Sequence, residues 1–271
     1  MTSGLAADGD MALAPVFERR ALRADALARQ SPTARAPLEF AAGLYRAQQS
    51  MAIAIEAAAA RRGLVGRLDQ DLDGFAGATE VLLRFAADHA PPALSEAARN
   101  SAVEDLRVRL GAWWSDGGSG GDDYLARALL RPYAEVLRAL DLAPARPPAA
   151  AGACAFCGGL PWIAWRVASG SNEGAQRFLG CALCGKEWSA GRIRCPSCAE
   201  EQPDKLASFQ SERHPTVRIE TCANCRAYVK SIDLTLDARA IPEVDDLLSL
   251  SMDLWAAEEG YARIEPGLAG L

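Results

Sequence analysis

Histidine is almost missing from this chain. His89 and His214 are the two present, and neither stands in a pattern with a nucleophile or a second ligand. Histidine-based catalysis therefore has no support. Lysine is nearly as scarce, with Lys186, Lys205 and Lys230 against 26 arginines. Aromatic residues make up only 7%. Long apolar runs are absent: 51–55, followed after Glu56 by 57–60, falls well short of the ~20 residues of a membrane span. The N-terminus shows no charged stretch leading into an apolar one, since residues 12–17 are short, contain Pro15 and precede Glu18-Arg19-Arg20. The expectation is a cytoplasmic protein without a membrane span. Phosphate-loop, dinucleotide and H-E-x-x-H patterns are missing too, and Gly117 to Gly121 lacks both a preceding strand and a following lysine. No catalytic constellation remains, and the expectation is a protein that is not an enzyme.

What the chain does hold is 271 residues, half of them hydrophobic and 24% charged. That is enough for one large or two modest folded domains. The net charge of −6 argues against a nucleic-acid backbone as partner, because such domains carry a basic face. The acids gather at the end: residues 231–271 carry nine acidic and two basic side chains, a stretch expected to tune encounters with a partner.

Cysteine is the informative residue. All eight lie at or after position 154, in four C-x-x-C pairs: Cys154/Cys157, Cys181/Cys184, Cys195/Cys198 and Cys222/Cys225. In a reducing cytosol such pairs read as metal ligands rather than disulfides. Two thiolates three residues apart grip an ion across a knuckle turn. A tetrahedral site takes two knuckles, so four pairs make two four-cysteine sites. Each cysteine of the first half maps onto the second by adding 41, and the flanks follow: Arg177-Phe178-x-x-Cys181-Ala182-x-Cys184 matches Arg218-Ile219-x-x-Cys222-Ala223-x-Cys225. The repeat favours pairing 154/157 with 181/184, and 195/198 with 222/225, over a nested pairing of outer with outer and inner with inner. Zinc and iron both accept four thiolates, and spacing does not separate them. Glycine follows the second cysteine in both knuckles of the first half, as a rubredoxin-type turn prefers; Ala199 and Arg226 stand there in the second.

The rest of the chain orders itself around these sites. Residues 1–15 read as a loose terminus. Helical periodicity then runs from 16 to 142, with helices expected at 38–62, 78–88, 94–114 and 123–140. Asp122 is expected to cap the last of these and Pro132 to kink or split it. Residues 116–121 form a flexible loop, and 143–153 a Pro/Ala linker. A first four-cysteine ribbon fills 154–190 and a second 191–234, with strands at 217–220 and 228–234 and a turn at His214-Pro215. A C-terminal helix and acidic tail occupy 235–271, with Pro242 at the helix start. The fold class is thus α+β multidomain: an N-terminal all-α domain, two tandem rubredoxin-like or zinc-ribbon modules, and a C-terminal helix. Trp162, Trp165 and Trp188 fall in the first ribbon. They either shield the metal and pack the hairpins or form an apolar docking patch, since a ribbon has little interior of its own. Of adjacent Trp113 and Trp114, one is expected to be exposed.

These residues are similar to a known family. Cys154-x-x-Cys157-Gly158-Gly159-x-Pro161, Arg177-Phe178-Leu179-x-Cys181-x-Leu183-Cys184-Gly185-x-Glu187-Trp188, Arg194-Cys195-x-x-Cys198 and Cys222-x-x-Cys225-x-x-Tyr228-x-Lys230 resemble the formate dehydrogenase accessory protein FdhE family. The tail Asp245-Asp246-Leu247-x-Ser249-Leu250-x-Met252-Asp253, followed by Glu259-Gly260-Tyr261, resembles it as well. The resemblance is specific over 154–261 and architectural before that. It implies a cytoplasmic maturation factor that contacts the catalytic subunit of a respiratory formate dehydrogenase before export, with iron at its cysteine pairs. A thiol- or iron-based redox protein and a nucleic-acid-binding zinc-ribbon protein are the alternatives from other classes.

Overall fold

The computed structural model describes residues 12–101, 103–118, 123–147, 152–169 and 174–270. The helical half begins with α1 (Ala14–Gln30), which has Pro15 in its first turn, and the long α2 (Arg35–Arg62). A short α3 (Leu68–Asp71) leads through two 3-10 turns to α4 (Thr79–His89), α5 (Pro92–Arg99), α6 (Val103–Ser115) and α7 (Tyr124–Ala139). Helix α2 packs against α1, α4 and α7. Their apolar stripes meet at Phe17, Leu38, Tyr45, Met51, Leu82, Leu125, Leu129 and Tyr133, all 2% exposed or less. Each such buried side chain contributes roughly 1.5–3 kcal/mol. Tyr133 stacks on Phe75 and donates its hydroxyl to Asp71 Oδ2 at 2.6 Å, so its polar end is satisfied inside the core.

Several expectations shift by local chemistry. The helix expected at 94–114 is broken between α5 and α6. Asp123, not Asp122, caps α7 and accepts from Ala126 N; Asp122 lies outside the described residues, as do 119–121 of the expected loop and 148–151 of the linker. Pro132 sits inside α7, which runs unbroken through it. Trp113 and Trp114 are both buried, at 8% and 2%. The guanidinium of Arg146, from the linker, lies over both rings, and Ala145 O accepts from Trp114 Nε1.

The cysteine half is one seven-stranded sheet. The first module supplies β1 (Pro161–Ala168), β2 (Ala175–Cys181) and β3 (Glu187–Ser189). The second supplies β4 (Leu206–Ser211), β5 (His214–Cys222) and β6 (Ala227–Asp233). His214 opens β5 and the turn falls just before it. Within each module neighbouring strands are antiparallel. The order β3-β2-β1-β6-β5-β4 joins the modules through a parallel pair, β1 with β6, so the two tandem ribbons share one sheet. The last segment is α8 (Pro242–Asp245), a 3-10 turn (Asp246–Ser249), α9 (Leu250–Glu258) and β7 (Ala262–Arg263), which pairs with β6. The expected single C-terminal helix is thus broken by that turn. Nor are its acids a free tail. Glu243, Asp245, Asp246, Asp253 and Glu265 all enter ion pairs, with Arg20 and Arg131, Arg23, Lys230 and Arg263, or Arg127.

Candidate metal centre

The eight cysteines converge as two groups of four: Cys154, Cys157, Cys181 and Cys184, and Cys195, Cys198, Cys222 and Cys225. This is the grouping that the repeat favours. In each group every sulfur lies within 4.8 Å of the others. Cys154 and Cys184 Sγ are 3.8 Å apart, Cys157 and Cys181 3.4 Å. In the second group, Cys195–Cys225 and Cys198–Cys222 are both 3.7 Å. A disulfide needs about 2.05 Å. A tetrahedron with metal–sulfur bonds of about 2.3 Å has sulfur–sulfur edges near 3.8 Å. The donor set and its spacing therefore fit one tetrahedral metal ion in each group.

The backbone builds each knuckle in the same way. The residue after the second cysteine donates its N–H to the carbonyl of the first: Gly158 to Cys154, Gly185 to Cys181, Ala199 to Cys195 and Arg226 to Cys222, at 2.8–3.2 Å. That turn forces a left-handed backbone. Gly158 and Gly185 have φ of 73° and 64°, and the non-glycine Ala199 and Arg226 adopt 60° and 56°. Backbone amides also point at sulfur: Gly159 N at Cys157, Leu183 N at Cys181 and Ser197 N at Cys195, each at 3.4 Å. Such bonds spread thiolate charge and leave less for the metal to neutralise.

The groups differ in setting. All four cysteines of the first are buried, whereas Cys198 of the second is exposed and Cys225 half-buried. The first lies against the helical half. Arg138 of α7 donates Nε to Cys184 O at 2.8 Å. Gly185 sits close to that half: a Cβ there would meet the Glu135 carboxylate and the Arg20 guanidinium at 3.3 and 3.4 Å, a tight fit. Behind it stands a buried ion cluster: Arg20 and Arg131 each pair with both Glu135 and Glu243. Burial opposes the charge on Glu243, but Arg131 and Arg20 beside it hold its carboxyl down at about 2. Glu135 shifts down on the same balance. The cluster ties α1 and α7 to α8, and the sequence offers no signal for it beyond Arg131 and Glu135 at i, i+4.

The tryptophans are largely spent in this packing. Trp162 is 4% exposed, with Arg131 and Arg127 guanidiniums 4.7 and 5.5 Å from its ring centroid. Trp165 is 7% exposed and stacks on Phe178. Trp188 is half-buried beside Ala164, Leu179 and Val229. The helical half supplies the interior that a ribbon alone lacks, so the apolar docking patch is not offered by Trp162 and Trp165.

Other clusters were not legible in the sequence. Lys230 is fully buried with Asp246 and Asp253 at 2.9 and 2.6 Å. A cavity between the two modules is lined by Arg166, Arg177, Arg192 and Arg194, of which only Arg177 belongs to the repeat seen in the sequence. His89 Nδ1 lies 3.1 Å from Phe85 O at a helix end, and His214 Nε2 3.3 Å from Ser251 Oγ. No helix among the described residues is long and apolar enough to cross a membrane.

Residues 193–268 match the family model described as FdhE, C-terminal domain. The chain is 37% identical over 117 residues to the Protein FdhE homolog of Aquifex aeolicus, a stretch covering 43% of this chain and 41% of that protein. It is 32% identical over 149 residues to the Protein FdhE homolog of Pseudomonas putida, covering 54% and 46%. The matched stretches thus span less than half the length of these curated relatives. The crystal structure of the FdhE protein from Pseudomonas aeruginosa has a TM-score of 0.64 at 24% identity, covering 94% of this chain and 95% of that one; at that identity the likeness speaks for the fold.

Proposed function

We propose that this chain, which carries an FdhE C-terminal domain over residues 193–268, is a cytoplasmic accessory factor for formate dehydrogenase. In this reading it binds the catalytic subunit of a respiratory formate dehydrogenase and supports its assembly before export, without turning over a substrate. The observation that carries the reading is the pair of four-sulfur groups on one sheet, the second of which lies within the stretch matched by the FdhE C-terminal family model. Each group holds one ion, iron on the family resemblance or zinc on the chemistry of four thiolates. Bound there, the ion supplies cross-linking of two knuckles and, if iron, a one-electron couple. Cys154, Cys157, Cys181 and Cys184 hold the first ion; Cys195, Cys198, Cys222 and Cys225 hold the second. The exposure of Cys198 gives the redox alternative its one specific support, because an ion there is within reach of an electron donor or thiol.

The test is a gene deletion in the host together with a pull-down. Deletion should lower respiratory formate dehydrogenase activity with its transcript unchanged, and the tagged chain, purified without oxygen, should retain the catalytic subunit. Normal activity in the deletion strain combined with no retained subunit would overturn the accessory reading and favour the redox one. Metal analysis and visible absorption of the same preparation distinguish iron from zinc.

A further inference from the structure

Each sulfur group repeats the other at an offset of 41, so a residue beside one sulfur has a counterpart beside another. Leu183, inside the knuckle of Cys181 and Cys184, corresponds to Asn224, inside the knuckle of Cys222 and Cys225; Cys157 corresponds to Cys198. In the first group this place is packed with hydrocarbon. Leu183 and Cys157 are each 2% exposed. They flank one point, because a Cβ on Gly159 would meet Leu183 Cβ at 3.1 Å and Cys157 Sγ at 3.4 Å. Leu183 belongs to the apolar core that continues into the helical half.

In the second group the same two positions face solvent. The side chain at 224 is an amide, and its Nδ2 lies 3.6 Å from Cys198 Sγ. An amide has a donor end and an acceptor end. Against a thiolate only the N–H end is attractive, so chemistry fixes which end faces the sulfur. A polar residue suited to the surface is not enough here: an aspartate of the same shape would repel the thiolate. Asn224 supplies an uncharged donor to a sulfur that has no core to shelter it. N–H donors spread the charge of a thiolate and tune the potential of an ion that it binds. They favour the reduced state, in which the four sulfurs and their ion carry more negative charge.

We infer that Asn224 is a positioning residue of the second metal centre: its side-chain amide donates to Cys198 Sγ, holds that exposed ligand in place and raises the potential of an iron ion bound there. The inference rests on the reading of the eight cysteines as two metal centres, and it holds whichever client the chain serves.

The experiment is an electrochemical titration, without oxygen, of the full-length chain loaded with iron, with metal content measured for every variant. One electron from the electrode takes ferric ion to ferrous and adds one negative charge to the centre. The couple of the second centre is the one missing from a variant lacking both Cys195 and Cys198. Asn224→Leu copies the residue of the first centre, removes the donor and keeps water off the sulfur. It should favour the oxidised ion about tenfold, which lowers that couple by about 59 mV and leaves the other unmoved. Asn224→Asp keeps the shape, removes the donor and adds a charge, so it should lower the couple at least as far. Asn224→Gln keeps an N–H donor and should recover most of the wild-type potential. Cobalt gives a second reading: sulfur-to-metal charge-transfer absorption should move to longer wavelength in Asn224→Leu, because an unbonded sulfur gives up an electron more easily. If either Asn224→Leu or Asn224→Asp loses its second ion, the other decides. Two ions retained with both couples unmoved overturns the proposal. So does equal movement of both couples, which would mean a disturbance of the whole sheet. A wild-type chain that takes up neither iron nor cobalt overturns the metal-centre reading and the proposal with it, a failure seen in metal content before any potential is measured.

Discussion

Gly158 and Ala199 occupy the same place in repeated knuckles and share a left-handed backbone, with φ of 73° and 60°. Only the glycine adopts that shape without steric conflict between Cβ and the following carbonyl. The conflict costs about 1–2 kcal/mol per residue, partly offset by the greater chain entropy that glycine loses on folding, about 0.5–1 kcal/mol. Ala199→Gly should therefore stabilise the metal-loaded second module by about 0.5–1 kcal/mol, measured by denaturant unfolding. A loss of stability would show that the Ala199 side chain contributes more than its backbone strain costs. Arg226 is a poorer site for the same change, since its guanidinium lies over Tyr261 and donates to Gly260 O.

The two sulfur groups should release metal at different rates. The first is closed on all four cysteines, while the second exposes Cys198. A chelator reaches an ion by displacing its ligands one at a time, and an exposed thiolate is the place to begin. Release to a coloured chelator is expected in two phases of one equivalent each, the fast one absent in a variant lacking Cys195 and Cys198. A single phase of two equivalents would argue that both ions are lost through global unfolding instead.

The ion cluster behind Gly185 makes stability depend on acidity. Glu243 ionises at about 2 in the folded chain, against an ordinary 4.5. A depressed carboxyl contributes stability that is fully present above the ordinary value and is lost as pH falls from 4.5 through about 2. For this group the contribution is on the order of 3 kcal/mol. Because acid also strips thiolates of metal, the expected result is a difference: the wild type loses more stability than Glu243→Gln between pH 5 and 3, monitored by helical circular dichroism. At neutral pH, Glu243→Gln should be less stable by about 3–5 kcal/mol, the usual cost of leaving a buried charge without its partner. Parallel acid curves for the two proteins would exclude Glu243 as a source of the acid sensitivity.

The grouping of the cysteines was legible because it is written in spacing: an offset of 41 between knuckles survives without any knowledge of the fold. The helices of the first half were legible for the same kind of reason, since one apolar stripe recurs every three to four residues. What the sequence could not convey is how the halves meet. Trp162 reads as surplus apolar surface when the ribbon is considered alone, and it becomes interior only once Arg127 and Arg131 of α7 are known to lie over it. The acids of 231–271 read as a solvated tail because their partners, such as Arg20, Arg23 and Arg127, lie more than a hundred residues away. The join of β1 to β6 is likewise a long-range parallel pairing that no local periodicity encodes.

That meeting of halves sets the last expectation, which separates the roles of the two centres. The first knuckle pair is seated on α7 through Arg138 and Cys184 O, and through the close approach of Gly185 to Glu135 and Arg20. At the turn of the second, Asn224 and Arg226 touch Cys198, Glu259, Gly260 and Tyr261, which lie outside the helical half. A bound structural ion typically contributes ~10–16 kcal/mol to a small site, comparable with the whole stability of a domain. Cys181→Ser should thus open the first knuckles, free α7 on its ribbon-facing side and leave the remaining helices largely folded. Replacing Cys195 and Cys198 together should remove one ion and leave α7 as protected as in the wild type. Hydrogen exchange across 124–139, read beside metal content, distinguishes the two. Equal loss of α7 protection in both variants would mean that the sheet transmits the damage and that the first centre holds no special place at the interface. Two tightly held ions in Cys181→Ser would instead exclude Cys181 as a ligand.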